Sequence, residues 1–385
     1  MKIRPLLGVA AIAAITLAAC GGSDAASDTT SAPAAATGVD LVAAGCPATV
    51  SIQTDWNPEA EHGNLYQLVG PGYTVDTAKL RVTGDLMAGG KSTGVKVEIR
   101  AGGPAIGYSQ VTAELYKDPS ILLGFTSTDE AVAHSTDFPT QAVVAPFNIN
   151  PQIIMWDPAT YPDAKVIGDL KEPGVKVRYF QGAAYMDYFT STGILDKKQV
   201  DDTYDGAPAS FIAAAGKDAQ QGFGTAEPYF YEKVLKDWMK PVAYQYVHDA
   251  GWTAYAQSLG ATPANITKYD SCLTALVPVI QQAAVDYVAS ADTANAIILD
   301  AVTQYNNGWV YDAGQATAAV AKMQSDKLIA NSPDGTLGSF DTQRVTDFIK
   351  VATPVFTATG SKVKEGLVAD DIVTNKYIDP SIKLG

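Results

Sequence analysis

The sequence predicts an α/β protein with two lobes, a ligand cleft between them, and a chain that crosses twice from one lobe to the other. Its 385 residues are enough for two domains, at about 100–200 residues each. From residue 48 onward, strand-like runs alternate with helix-like runs, which is typical of α/β folds with parallel sheets. After residue 250 helical patterns dominate, as expected for a long return of the chain.

The first lobe is predicted over residues 48–145, where apolar patterns indicate its strands. Period-two alternation of Val95, Val97 and Ile99 predicts a strand that stops at the following glycines. Three more runs are strand candidates: ATVSIQTDW from residue 48, SILLGFTST from residue 120 and QAVVAPF from residue 141. A helix-like segment, DEAVAHS, follows the second of these runs.

The second lobe is predicted over residues 146–250, and residues 251–385 are predicted to return to the first lobe as C-terminal helices. Strands are indicated by PQIIMWD, KVRYFQG and the start of QGFGTAEPYFYEKVLKDW, and a helix by AYMDYFTSTGI. Apolar spacing of i, i+3 and i+4 predicts helices over 274–290 and 293–307. Ligands of such folds bind at the carboxyl ends of strands, so we expect the site in the cleft.

The N-terminus has the features of an export signal. Lys2 and Arg4 precede fourteen residues without charge, Leu6–Ala19, which are too short for a spanning helix and predict a signal peptide over residues 1–19. The run Leu-Ala-Ala before Cys20 resembles the lipobox of bacterial lipoproteins, which implies a lipidated Cys20 anchored to the cell membrane. The alternative is an ordinary secretory signal. Residues 20–47 would then be the anchor and a tether, because 21–38 contain no large apolar side chain.

Two cysteines remain, Cys46 and Cys272. An extracytoplasmic compartment is oxidising, so we expect a disulfide between them; two buried free thiols are the alternative.

Composition excludes several classes of function. A formal net charge of −14, from 41 acidic and 27 basic residues, argues against a nucleic-acid partner. Three cysteines and three histidines are too few for a zinc cluster, and motifs for nucleotide phosphates, zinc proteases and serine hydrolases are absent from the sequence. We therefore expect no cofactor and no metal.

The stretch between residues 55 and 66 is the most informative part of the chain. It offers aromatic rings at Trp56, His62 and Tyr66 and carboxylates at Asp55 and Glu59, directly after a predicted strand. Rings that stack and carboxylates that accept N–H bonds suit a planar nitrogen-containing ligand, neutral or cationic. The alternative is that Trp56 belongs to the core and the acids are solvated residues at a helix N-terminus.

This stretch, TDWNPEAEHGNLYQ, resembles the first-strand motif of the NMT1/THI5-like and SsuA-like solute-binding proteins, in which W-x-P-x-x-x-H opens the ligand site. Trp56, Pro58 and His62 match that spacing. Later segments up to about residue 350 resemble the family less specifically. The resemblance implies a type II periplasmic-binding-protein fold and an extracytoplasmic receptor of an ABC importer, with a membrane permease as partner. Its small-molecule ligand would be a thiamin-type pyrimidine, a flavin or a sulfonate, and we expect a monomer.

Further candidate site residues lie in the segments that resemble the family. They are Ser127, Thr128, Trp156, Gln181, Tyr185, Glu227 and Tyr229. Each has an ordinary structural alternative, such as helix capping for Ser127 and Thr128 or hinge packing for Trp156. Enzymatic use of Glu61 and His62 is a weaker hypothesis, because adjacent residues point to different faces of a helix. A sensor with the same cleft is a third hypothesis.

If Cys20 carries the lipid, Cys20→Ala should move the protein from the membrane fraction to the soluble fraction. Fractionation followed by immunoblotting measures this. An unchanged distribution would contradict the anchor.

Overall fold

Residues 38–385 are described by a computed structural model and contain two β-sheets. The predicted signal peptide, Cys20 and most of the tether lie outside the described residues. The strands are β1 (Thr49–Gln53), β2 (Thr74–Asp76), β3 (Arg81–Ala88), β4 (Lys91–Arg100), β5 (Ile121–Thr126), β6 (Gln141–Val144), β7 (Gln152–Trp156), β8 (Val177–Arg178), β9 (Val200–Asp201), β10 (Ala219–Phe223), β11 (Ala243–Tyr246) and β12 (Ser258–Ala261).

The helices lie between and after these strands. They are α1 (Gly63–Tyr66), α2 (Val111–Lys117), α3 (Thr128–Ala133), α4 (Ala184–Ser191), α5 (Ala209–Ala213), α6 (Glu227–Tyr229), α7 (Pro263–Lys268), α8 (Asp270–Ala289), α9 (Asp292–Tyr305), α10 (Ala313–Ser325), α11 (Thr342–Ala358) and α12 (Ala369–Ile372).

The first sheet has seven strands in the order β2-β3-β4-β1-β5-β12-β6. Its centre is parallel, with β1 between β4 and β5. The expectation of parallel sheets was wrong for the strands on either side of this centre. Strands β3 and β4 form an antiparallel hairpin, and β12 runs antiparallel to β5 and β6. Alternation in β4 follows the predicted pattern, since Val95, Val97 and Ile99 are buried.

The second sheet has five strands in the order β11-β7-β10-β8-β9. All of them come from the chain between Gln152 and Tyr246, and β7 is antiparallel to both of its neighbours. Because β12 belongs to the first sheet, the chain passes between the sheets twice, after β6 and after β11. We use "first lobe" and "second lobe" for the parts of the protein built on these two sheets.

The C-terminal helices contact both lobes. Helix α8 packs on α1, and its residues Leu273, Val277 and Ile280 are buried in the core. Among the helices of residues 38–385, α8 is the one long and apolar enough to span a membrane, and 56% of its apolar window is buried inside the protein. Helix α11 contacts α3 of the first lobe and α4 of the second.

Arg344 on α11 joins the two segments in which the chain passes between the lobes. Its guanidinium donates to the carbonyl of Asn148 at 2.6 Å in the first segment and to those of Thr253 at 2.9 Å and Ala254 at 3.2 Å in the second. It also lies 3.8 Å from the ring centroid of Tyr255. One side chain therefore satisfies the carbonyls of both passages.

Cys46 and Cys272 are joined by a disulfide across a sequence separation of 226 residues. The bond connects the segment before β1 to the first turn of α8, where Cys272 is buried. It therefore ties the beginning of the described chain to the helix that packs on α1.

Cys46→Ser should lower the free energy of unfolding by about 2–4 kcal/mol, because the cross-link restricts the unfolded chain. Urea denaturation under oxidising conditions measures the change. The double variant with Cys272→Ser should lose little more than the single one, since either substitution breaks the same bond. Equal midpoints for wild type and Cys46→Ser would contradict a structural bond.

Candidate functional site

The segment after β1 is held in place by the end of β4. Thr54 N–H donates to the Arg100 carbonyl at 2.9 Å, and the N–H groups of Gly102 and Gly103 donate to the carbonyls of Trp56 and Asp55. Gly103 has a φ of +56°, and a Cβ there would lie 2.6 Å from the Trp56 ring. Glycine at this position therefore lets the Trp56 indole lie directly against the backbone.

Asp55 and His62 form a pair, with His62 Nε2 2.7 Å from Asp55 Oδ1. The His62 ring is fully buried, 5.4 Å from the centroid of Phe125. The prediction that His62 stacks on a ligand was wrong, because its helical turn points towards the core. His62 orients the Asp55 carboxylate, which faces the cleft.

Three other predicted site residues belong to the core. Tyr66 and Trp156 are each 1% exposed and pack within the hydrophobic clusters. Thr128 is equally buried, and its hydroxyl accepts a hydrogen bond from Tyr255 N–H at 2.9 Å. The prediction that these side chains face the cleft was wrong, because each lies on the side of its element that packs on other elements.

Gln181 and Tyr229 line neither of the two chambers described below. Gln181 is exposed, and Tyr229 is half-buried with its hydroxyl against Gly314. The structure places both outside the walls of the cleft, which corrects their prediction as ligand contacts.

The first chamber, which we call the polar chamber, encloses about 220 Å³ between α3 and α4. Both lobes and both passages contribute polar side chains to it. They are Asp55, Gln110, Thr126, Ser127, Asp129, Glu130, Asn150, Gln152, Tyr185 and Gln257.

Most groups of the polar chamber have partners in the protein. Ser127 caps α3 and donates to Asp129, which also accepts from Trp252 Nε1 at 3.0 Å. The Tyr185 hydroxyl donates to Gln221. Burial, and next the charge of Asp129, raise the pKa of Glu130 to about 8.

Gln257 is the exception among these groups. It is 3% exposed, its φ is +54°, and neither its amide oxygen nor its amide nitrogen has a partner within residues 38–385. A buried amide without partners is costly, and this one borders the polar chamber. Sequence reasoning missed Gln257, since no motif surrounds it.

The second chamber, which we call the aromatic chamber, encloses about 160 Å³ and shares Gln152 and Phe223 with the polar chamber. Five rings from different segments border it. They are Trp56, Phe180, Tyr204, Phe223 and Trp309. The centroids of Trp56 and Phe180 are 5.8 Å apart, those of Trp56 and Trp309 6.2 Å, and those of Phe180 and Tyr204 4.9 Å.

Two carboxyl groups complete the aromatic chamber. Glu59 is 5% exposed, and its carboxyl group has no hydrogen-bond partner or ion pair within residues 38–385. Glu227 accepts from Phe223 N–H at 2.6 Å, and a Cβ at Gly222 would lie 2.8 Å from its carboxyl carbon. Glycine at 222 therefore leaves the space in which Glu227 lies.

Burial raises the pKa values of the acidic side chains in this region. Desolvation, followed by the charges of Glu61, Asp55 and Glu227, raises the pKa of Glu59 well above its usual value. Burial also raises the pKa of Glu227 to about 7 and that of Glu61 in the same direction. Glu61 lies outside the chamber and accepts a hydrogen bond from Thr225 of the second lobe.

The cleft therefore offers rings and hydrogen-bond acceptors but no cationic group. Of the described residues that line the two chambers, none is lysine, arginine or histidine. Within residues 38–385 no group of three or more His, Cys, Asp or Glu side chains has a metal-binding arrangement. Such a surface favours ligands with N–H donors or positive charge over anions.

Several lining residues were absent from the sequence prediction. Phe180 lies two residues after β8 and Phe223 is the last residue of β10, so the rule that ligands bind at strand ends could have identified both. Tyr204, Trp309 and Gln152 carry no comparable local signal, because they reach the cleft from loops or through sheet pairing.

Glu227→Gln should become more stable relative to wild type as pH rises from about 5 to about 8. Glu227 is protonated in the fold up to a pKa of about 7, whereas 4.5 is the usual value, so the unfolded chain binds fewer protons in this window. Wild type loses the contribution of Glu227 to stability over this range, and the variant has no such contribution to lose. We expect a relative gain of about 1–2 kcal/mol, measured by urea denaturation of the ligand-free protein.

Glu365→Gln, on an exposed segment, is the matched control and should follow the wild-type profile. Parallel profiles for wild type and Glu227→Gln would show that burial does not hold Glu227 protonated.

Among known proteins, this chain is similar to solved structures. No protein-family model matches the chain, and no curated protein does. The periplasmic aliphatic sulphonate binding protein SsuA from Escherichia coli matches with a TM-score of 0.52 at 15% identity, over 82% of this chain and 88% of that one.

Two further solved structures match to a similar degree. A protein of Bordetella bronchiseptica RB50 has a TM-score of 0.51 at 16% identity, over 86% of this chain and 96% of its own. The ligand binding component of an ABC-type import system from Staphylococcus aureus, with zinc bound, has a TM-score of 0.50 at 13% identity, over 86% and 99%. These similarities confirm the predicted fold: the chain has the two-lobed type II periplasmic-binding-protein fold.

Proposed function

We propose that the protein is an extracytoplasmic solute-binding receptor of an ABC importer. It captures a small aromatic or heterocyclic nutrient between its lobes and delivers it to a membrane permease, while a lipid on Cys20 holds it at the membrane. The observation that carries the proposal is the cleft itself: rings and hydrogen-bonding groups from both lobes converge on two adjacent chambers that share Gln152 and Phe223.

The similar structures support a receptor. Two of them are a sulphonate binding protein and the ligand binding component of an import system. The lobes proposed for this chain, residues 48–145 and 146–250 with a return over 251–385, enclose a cleft of the kind in which such proteins hold their ligands.

A pyrimidine, thiamin-precursor or flavin type of ligand suits the aromatic chamber. Trp56 and Phe180 present rings for stacking, and Glu59 accepts N–H bonds. A sulfonate receptor is the second candidate, favoured by the structural similarity to the sulphonate binding protein of Escherichia coli. It fits the cleft less well, because the N-terminal turn of α3, where an anion would bind, carries Asp129 and Glu130.

The contacts of Glu61 and His62 argue against an enzyme. Glu61 is bonded to Thr225 and His62 to Asp55, so the two side chains have different partners and do not act on a common atom. Neither lines a chamber. A sensor would use the same cleft. Deleting a sensor from the cell would leave uptake of the ligand unchanged, whereas deleting the receptor of an importer would not.

A thermal-shift screen of the purified full-length protein tests the receptor. The panel contains pyrimidines, thiamin and its precursors, flavins, nucleobases and alkyl and aryl sulfonates. A ligand at 100 times its Kd should add about 2.7 kcal/mol of stability, seen as a higher Tm. A heterocycle that binds without being consumed supports the proposal, a sulfonate that binds supports the second candidate, and turnover of any compound contradicts a receptor.

Trp56→Ala should weaken binding of a heterocycle from that screen by about 1–3 kcal/mol, because the indole forms a wall of the aromatic chamber. Isothermal titration calorimetry measures the loss. Tyr161→Ala removes another half-buried ring, one that lines neither chamber, and should leave the affinity unchanged. Equal losses in both variants would mean that Trp56 acts through stability alone.

A further inference from the structure

The aromatic chamber combines rings and acids in a way that a neutral ligand does not require. The rings of Trp56, Phe180, Tyr204, Phe223 and Trp309 line its space. Aromatic faces attract cations, and the attraction is strongest where water is excluded. Five rings from separate segments thus give the chamber a preference for positive charge, before any carboxylate is considered.

Glu59 supplies the second, independent observation. Its side chain borders the chamber, is 5% exposed, and has no partner within residues 38–385. Burying an ionised carboxylate without a partner is unfavourable, and Glu227 on the opposite lobe adds a second acid to the same space. The described titratable groups near these acids are themselves acidic or phenolic: Glu61, Asp55, Tyr66, Tyr204, Tyr231 and Tyr311.

We propose that the aromatic chamber is a subsite for the positively charged group of the ligand, so that the receptor selects small organic cations: protonated amines or quaternary ammonium compounds. This inference rests on the proposed function and narrows its ligand class. The bound cation is the positively charged partner that Glu59 and Glu227 lack, and the rings replace the hydration shell of the cation. The remaining polar part of the ligand extends past Gln152 towards Gln257.

The test compares cations with neutral compounds of the same shape in the full-length protein. Choline is paired with 3,3-dimethylbutan-1-ol, and cyclohexylamine with cyclohexanol, by isothermal titration calorimetry at pH 8. At least one cation should bind about tenfold or more tightly than its neutral partner. Binding by choline alone identifies a quaternary ammonium site, and binding by the amine alone identifies a site that needs N–H donors; either result supports the proposal.

Substitutions locate the effect in the chamber. Glu59→Gln and Glu227→Gln keep the side-chain shape and should each weaken cation binding by about fivefold to tenfold, with little change for the neutral compound. Glu232 lies one turn further along the chain, where it forms an exposed pair with Lys233 outside both chambers. The variant Glu232→Gln should therefore leave cation binding unchanged. An equal loss in Glu232→Gln would assign the effect to overall charge and overturn the subsite.

The comparison in wild type decides the proposal even if a variant does not fold. Neutral compounds that bind as well as the cations, or no binding of any cation up to about 10 mM, would overturn the cation subsite. If a neutral heterocycle binds and Trp56→Ala weakens that binding, the proposed receptor function is still supported. Failure of both experiments would remove the receptor as well.

Discussion

The architecture of the site depends on how three neighbouring carboxylates are paired. They belong to Asp55, Glu59 and Glu61, in the segment where the two lobes meet. Asp55 pairs with His62, and Glu61 accepts a hydrogen bond from Thr225 of the other lobe. Glu59 has neither kind of partner within residues 38–385 and borders the aromatic chamber. Buried acids need compensation, so the segment both joins the lobes and prepares a place for a ligand.

Contacts between the lobes are of two kinds. The bond between Glu61 and Thr225 crosses the cleft, whereas Arg344 holds the carbonyls of the two passages between the sheets. A cleft that closes on a ligand needs contacts of the first kind to form and those of the second kind to persist. The position of Arg344 on α11 explains why a C-terminal helix belongs to both lobes.

Much of the fold could be predicted from local patterns. The strands β1, β4 and β5 and the helices α8 and α9 correspond to the predicted runs. Strand β3 was not predicted, since Gly84 and Asp85 interrupt its alternation. Strand β12 was not predicted either, and the general expectation of parallel sheets was wrong at both places, because pairing direction depends on which strands become neighbours.

The sequence by itself determined the two-lobed α/β architecture and the position of Asp55 and Trp56 after the first strand, because periodicity and turn chemistry are properties of neighbouring residues. Only the tertiary structure decided which side chains border the cleft. Tyr66 and Trp156 have the right chemistry but face the core, whereas Phe180, Tyr204 and Trp309 meet Trp56 from distant parts of the chain. The physical reason is that the packing of two sheets and α11, and not local sequence, sets which faces look into the space between the lobes.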